Sequence, residues 1–308
     1  MTFKTFIMIF TLILSSFCNS NLIAQIQSNE IYSTRLEKGK YLIESNNYEQ
    51  AQEFFSNLLK DHPKSAEAHY YLGMAYALSD DPGNATKCFK NAVSLKDSSA
   101  NYHLMYGNSL FNLAGRGSKF KAFGRAKKGK KELERVLELD SNNISARYSL
   151  MQFYLRAPGI LGGDKTRAKQ LMNEMNTIAS KNLISISAKI EILIASNKLE
   201  KAFNELKKCI PLCKTTRDSA QTGRTYNILG YKYLKQKSKN CDKAISCFKS
   251  YILLAPNKAN AHDSLGEAYY KCGDFDSSIA EYEKALSINP DFKNSKKMLK
   301  KVKKEMKK

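Results

Sequence analysis

Histidine occurs only four times in these 308 residues, proline six times, cysteine seven and tryptophan not at all. Each scarcity closes off a class of protein. Seven cysteines in so long a chain are far too few for a disulfide-dense miniprotein, and 43% hydrophobic residues are too many for a disordered one. After the first two dozen residues no apolar run approaches the roughly 18 residues that a membrane-spanning helix needs. Acidic residues are also sparse, 29 against 50 lysines and arginines, which gives a formal net charge of +21. Such an excess directs attention to anionic partners: nucleic acid, a membrane surface or an acidic polymer.

What is present begins with an export pattern. Lys4 supplies a positive start, Phe6 to Phe17 form a short apolar run, and small residues follow. Residues 1–24 read as a signal peptide cleaved after Ser20, with Cys18 at −3, or after Ala24. A lipidated Cys18 is disfavoured because Phe17 is large where a small residue is needed. The expected location is therefore periplasmic or secreted, with peripheral contact at the cell envelope open, and nucleic acid is not an expected partner.

A spacing of 34 residues runs through the rest. Gly39, Gly73 and Gly107 are 34 apart; Ala51 and Ala85 follow the first two by 12, Phe55 and Phe89 by 16. Gly266 repeats these offsets with Ser278 and Tyr282, and Pro290 follows it as Pro63 follows Gly39, by 24. With Leu72, Gly73 and Tyr76, and again Leu265, Gly266 and Tyr269, these residues resemble the tetratricopeptide repeat (TPR), of an exported bacterial type. Small residues let two helices approach, aromatics fill the gaps, and proline stops the second helix.

The resemblance implies an all-α fold, a right-handed superhelical solenoid of about seven hairpins over 32–292. The units fall at about 32–65, 66–99, 100–143, 144–182, 183–216, 223–258 and 259–292, followed by a basic capping helix at 293–308. Met298, Val302 and Met306 mark the apolar stripe of that cap. The third unit is some ten residues too long between its helices, the fourth is long by five, and the fifth is degenerate, with Ile190 in the glycine slot.

In the family, first helices line a concave groove. The residues so implied are Tyr70, Met74, Asn108, Gln152, Arg156, Asn227, Tyr231, Lys235, Asp263, Glu267 and Tyr270. Amide, aromatic and mixed-charge groups suit an extended peptide. The carboxylate clamp of one family variant is not carried over, because its nearest residues, Lys40, Asn108 and Lys235, are scattered over three units.

Enzymatic signatures are weak. Gly159 to Thr166 misses the phosphate-cradling pattern at Asp164, where the last glycine should stand, and follows a helix instead of a strand. His69, His103 and His262 share repeat position 4, a packing position, and His62 merely precedes Pro63. No triad, metal set or cofactor motif emerges. Among the cysteines left after cleavage, Cys88, Cys209, Cys213, Cys241, Cys247 and Cys272, the better pairs are Cys213 with Cys241 or Cys241 with Cys272, near turns of adjacent units.

The charge is uneven. Residues 25–98 carry −2 and 259–292 carry −5, whereas 223–258 carry +7 and 293–308 carry +8. The segment 116–131 holds eight basic and no acidic residues: Arg116, Lys119, Lys121, Arg125, Lys127, Lys128, Lys130 and Lys131, interleaved with Phe120 and Phe123. The expectation is a non-enzymatic scaffold or adaptor for a protein or peptide. The alternative is contact with an anionic membrane surface or polysaccharide through 116–131, and an enzyme or nucleotide binder built on 157–166 is the remote one.

Overall fold

The computed structural model describes residues 30–116, 119–213, 215–236 and 240–307, and among them every regular element is a helix. The signal-peptide reading of 1–24 lies outside these residues. Up to Ala146 the chain forms one compact unit and from Arg147 a second. The first holds three hairpins: α1 (30–44) with α2 (Tyr48–Asp61), α3 (Ala66–Leu78) with α4 (Pro82–Leu95), and α5 (Ala100–Gly115) with α6 (Lys119–Leu139). The second holds four: α7 (Ile144–Arg156) with α8 (Lys165–Ala179), α9 (Leu183–Ala195) with α10 (Leu199–Lys207), α11 (Thr216–Leu234) with α12 (Cys241–Leu254), and α13 (Ala259–Cys272) with α14 (Phe275–Ile288). The single helix α15 (Lys293–Glu305) follows them.

Local chemistry sets where the helices begin and turn. Ser65, Asp81, Ser99, Asn182, Asn240 and Asp274 each accept a backbone N–H as N-caps, and Thr215 with Asp218 closes a reciprocal capping box. The tight turn between paired helices passes through a left-handed residue at one recurring repeat position, Asn46, Asp80, Asn197 and Gly273. These residue types tolerate that conformation, because asparagine and aspartate bond locally and glycine has no Cβ.

Packing explains the repeat. A Cβ added to Gly39 would lie 2.4 Å from the Phe55 ring, and one on Gly230 would lie 2.7 Å from Phe248, so these positions accept only glycine beside an aromatic ring. Gly107 faces the smaller Leu133 in the hairpin with the long second helix. Where the glycine slot is large, the second-helix slot is not aromatic: Met151 goes with Met172 and Ile190 with Leu206, all four buried. Total volume is thus kept while the signature is lost, and large-for-small exchanges of that kind are tolerated when volume is conserved.

The extra residues of the third unit do not form an interhelical loop. Only 116–118 lie between α5 and α6, and the rest lengthen α6 to 21 residues. Its lysines, alanines and arginine are good helix formers, so the segment continues the helix. At the far end α15 buries Ser295 and Val302, while Met306 is exposed. The cap is held by polar contacts as much as by its stripe: Asp263 accepts hydrogen bonds from Ser295 Oγ at 2.6 Å and from Asn294 Nδ2 at 2.8 Å. A disulfide joins Cys241, at the start of α12, to Cys272, at the end of α13, with Cα atoms 6.0 Å apart.

Candidate functional site

Within the second unit the first helices of successive hairpins are linked side chain to side chain. Tyr148 on α7 donates to Glu191 Oε1 on α9 at 2.6 Å, Gln152 donates to the same oxygen at 3.1 Å, and Arg156 reaches the other oxygen at 3.3 Å. Gln221 of α11 donates to the Tyr148 hydroxyl at 3.4 Å. The pattern recurs onward. Tyr231 on α11 donates to Glu267 on α13 at 2.9 Å, and Tyr270 on α13 donates to Glu305 on α15 at 3.2 Å. Burial, reinforced by the Glu191 carboxylate, pushes the Tyr148 phenol well above its ordinary range; burial does the same to Tyr231. Both stay neutral donors.

Most of the expected groove residues in this unit therefore hold neighbouring first helices together. Asp263 is 4% exposed and its oxygens are taken by α15. Burial pushes its carboxyl above the ordinary carboxylate range, with Ser295 and Asn294 drawing it back. Glu267 also pairs with Lys271 at 2.6 Å. Lys235 is exposed at the end of α11. Asn227 differs from all of these: its side-chain Oδ1 is buried and has no hydrogen-bond partner among the described residues.

In the first unit Tyr70 stacks on Tyr102 with ring centroids 5.0 Å apart, and its hydroxyl accepts from Asn101 at 3.0 Å. Met74 packs against the cluster of Phe89, Tyr106 and Leu110, and Asn108 is half-buried on α5. Lys40 is engaged by Glu37 at 2.7 Å and lies over the Tyr71 ring.

Two of the three position-4 histidines prove to be hairpin links. His103 Nδ1 lies 2.7 Å from Glu132, and His262 Nδ1 lies 2.7 Å from Glu281, each carboxylate being on the paired second helix. Cys88 stands at the position equivalent to Glu281, which leaves His69 Nδ1 buried and unpartnered. Burial raises the thiols of Cys88 to about 11 and of Cys209 and Cys247 to about 12, so none of the three is a thiolate near neutrality.

The 157–166 loop is a compact turn. Gly162 has φ +88°, and a Cβ on Gly163 would sit 1.8 Å from the Ala157 oxygen. Asp164 caps α8, accepting from the N–H groups of Thr166 at 2.8 Å and Arg167 at 3.0 Å. The amides that would cradle a phosphate are occupied by a carboxylate of the chain itself. A recess of about 330 Å³ beside it is lined by Lys165, Thr166, Lys169 and Ser196, with no imidazole or carboxylate to serve as base. Among the described residues no three His, Cys, Asp or Glu side chains are grouped to hold a metal.

The basic segment divides into anchored and free charges. Arg116 pairs with Asp80 at 2.5 Å, Arg125 donates to the Leu113 carbonyl at 2.9 Å, Lys128 lies over the Tyr106 ring and Lys130 pairs with Glu134 at 3.5 Å. Lys121, Lys127 and Lys131 are exposed, and Lys119 has its backbone at the start of α6.

Two members of the inner row, Tyr148 and Glu191, were not among the expected residues. Both occupy inward slots, repeat positions 5 and 9, of the fourth and fifth units. Carrying the slots through those degenerate units would have found them.

Hairpins closed by glycine–aromatic contacts, with linked first helices and a terminal helix, define an array of the tetratricopeptide type. Residues 36–100 and 259–292 each match models of the tetratricopeptide repeat. Superkiller complex protein 3 is 23% identical in its human form over 245 residues, and the mouse protein is 22% identical over 244. Each alignment covers 79% of this chain and 15% of the relative, so the chain spans about a seventh of the curated relatives it matches. Among solved structures, the APC/C hetero-tetramer Cut9–Hcn1 matches with a TM-score of 0.61 at 16% identity, over 86% of this chain and 48% of that one. A tetratricopeptide repeat protein of Parabacteroides merdae matches with a TM-score of 0.58 at 12% identity, over 88% and 98%. At these identities the structures establish the fold.

Proposed function

We propose that the chain is an exported, non-enzymatic scaffold that holds an extended peptide segment of a protein partner along its row of first helices. Tetratricopeptide repeats in general mediate protein–protein interaction, and repeats of that type supply the frame. The observation that carries the reading is Asn227. An acceptor buried without a partner costs about 1–3 kcal/mol, and because the Asn227 side chain is only half-buried, a turn of it would bring that oxygen to a backbone N–H of a bound peptide. Tyr231 and Lys235 lie one and two turns further along the same helix, offering a ring edge and a cation beside it. Export is supported by the Cys241–Cys272 disulfide, a bond that persists in oxidising compartments. A nucleotide site at 157–166 is not proposed, because Asp164 occupies the amides it would need.

The test uses peptides selected from a displayed random library against the native chain. Their affinity for Asn227→Ala should fall about fivefold, the worth of one hydrogen bond of about 1 kcal/mol, with helicity by circular dichroism unchanged. Equal affinity for both proteins would remove the row as the binding site.

A further inference from the structure

The N-terminal half of α6 extends beyond what the hairpin requires, and its outward face sets an exposed aromatic ring among lysines. From 121 to 131 the exposed residues are Lys121, Phe123, Gly124, Lys127, Lys128 and Lys131. At 3.6 residues per turn these fall on one side of the helix, while Ala122, Arg125, Ala126 and Gly129 turn inward and Gly129 meets Phe111. No carboxylate lies between 116 and 131, and the first, Glu132, is bound to His103. The contacts of Arg116 with Asp80 and of Arg125 with the Leu113 carbonyl fix the base of the extension. Lys121, Lys127 and Lys131 project beyond it, and Phe123, 44% exposed, sits among them.

Lysines alone would suit any polyanion. The phenylalanine selects among them, because a ring on the charged face gains by entering the headgroup layer of a bilayer while the lysine ammonium groups stay at the phosphates. We propose that this face of α6 is a peripheral contact for an anionic phospholipid surface, with Lys121, Lys127 and Lys131 meeting headgroups and Phe123 entering the interface. The contact is separate from the peptide row and does not depend on it.

The full chain is sedimented with vesicles of phosphatidylglycerol mixed with phosphatidylcholine, and with pure phosphatidylcholine. Binding is expected to the first alone and to fall steeply with salt, since exposed charges are screened over about 8 Å at physiological ionic strength. The triple variant Lys121→Ala, Lys127→Ala, Lys131→Ala should lose on the order of a hundredfold in affinity, each lysine contributing about fivefold. Phe123→Ala should lose several-fold with the salt dependence unchanged. Lys297→Ala, Lys300→Ala, Lys304→Ala removes as much charge from α15 and should change binding by less than about twofold. Retained binding by the α6 variant, or an equal loss in the α15 variant, would overturn the proposal. Binding to heparin without binding to vesicles would assign the face to a polyanion and overturn it too.

Discussion

Glu191 and Asn227 sit on first helices of one compact unit, in neighbouring hairpins and at inward repeat positions, yet their surroundings are opposite. Glu191 receives three hydrogen bonds from α7. Asn227 buries its acceptor with none. A satisfied polar group in this row serves stability, since its removal strands the donors that point at it. An unsatisfied one costs stability until water or a bound group completes it. Inward positions of the repeat therefore carry structure in one hairpin and, in our reading, recognition in the next.

The largest expected effect breaks the satisfied side. Glu191→Ala leaves Tyr148, Gln152 and Arg156 without their common acceptor, and should cost about 1.5–3 kcal/mol in urea unfolding, the range for hydrogen bonds to a charged group. A loss under about 0.5 kcal/mol would mean that the row is not a structural link. A smaller effect is read through pH at Glu205 on α10. Burial pushes its carboxyl up, but Lys189 at 2.8 Å and Lys208 at 3.2 Å outweigh burial and hold it below the ordinary range. For a depressed carboxylate the stabilisation is complete above the unfolded value of about 4.3 and is lost as pH falls through the folded one. Glu205→Gln should lower stability near neutrality and flatten the acid-side decline; an unchanged pH profile would contradict the pairing. Smallest of all is the free side of α6: Lys121→Ala, Lys127→Ala, Lys131→Ala should alter stability by no more than about 0.5 kcal/mol, against its large expected effect on vesicle binding. A greater destabilisation would show that these lysines are structural.

Much of the architecture was legible because its main contact is a pair of residue types at fixed spacing. Gly39 with Phe55 and Gly266 with Tyr282 announce a hairpin each, and the proline and N-cap positions announce its ends. Legibility failed where volume moved from one slot to the other, as in Met151 with Met172 and Ile190 with Leu206, since neither residue alone fits the pattern. Tyr148 and Glu191 lie in those blurred hairpins, where the slots were followed only as far as Gln152 and Arg156. The lengthened α6 was countable as extra residues but not placeable, because spacing does not distinguish a loop from a helix extension. Inward positions were readable from the repeat, whereas their bonding was not: nothing in the one-dimensional order tells that Asp263 is claimed by Ser295 and Asn294 of a later helix while Asn227 is claimed by nothing.

The central claim is that Asn227 is a cost to the free chain, and the unfolding free energy of Asn227→Leu measures it most directly. Replacing an unpaired buried amide by an apolar side chain of similar size is neutral or stabilising, so the variant should unfold at the same or a higher urea concentration than the native chain, with unchanged m-value. A destabilisation of about 1 kcal/mol or more would show that the amide is already satisfied within the fold, and would contradict the account.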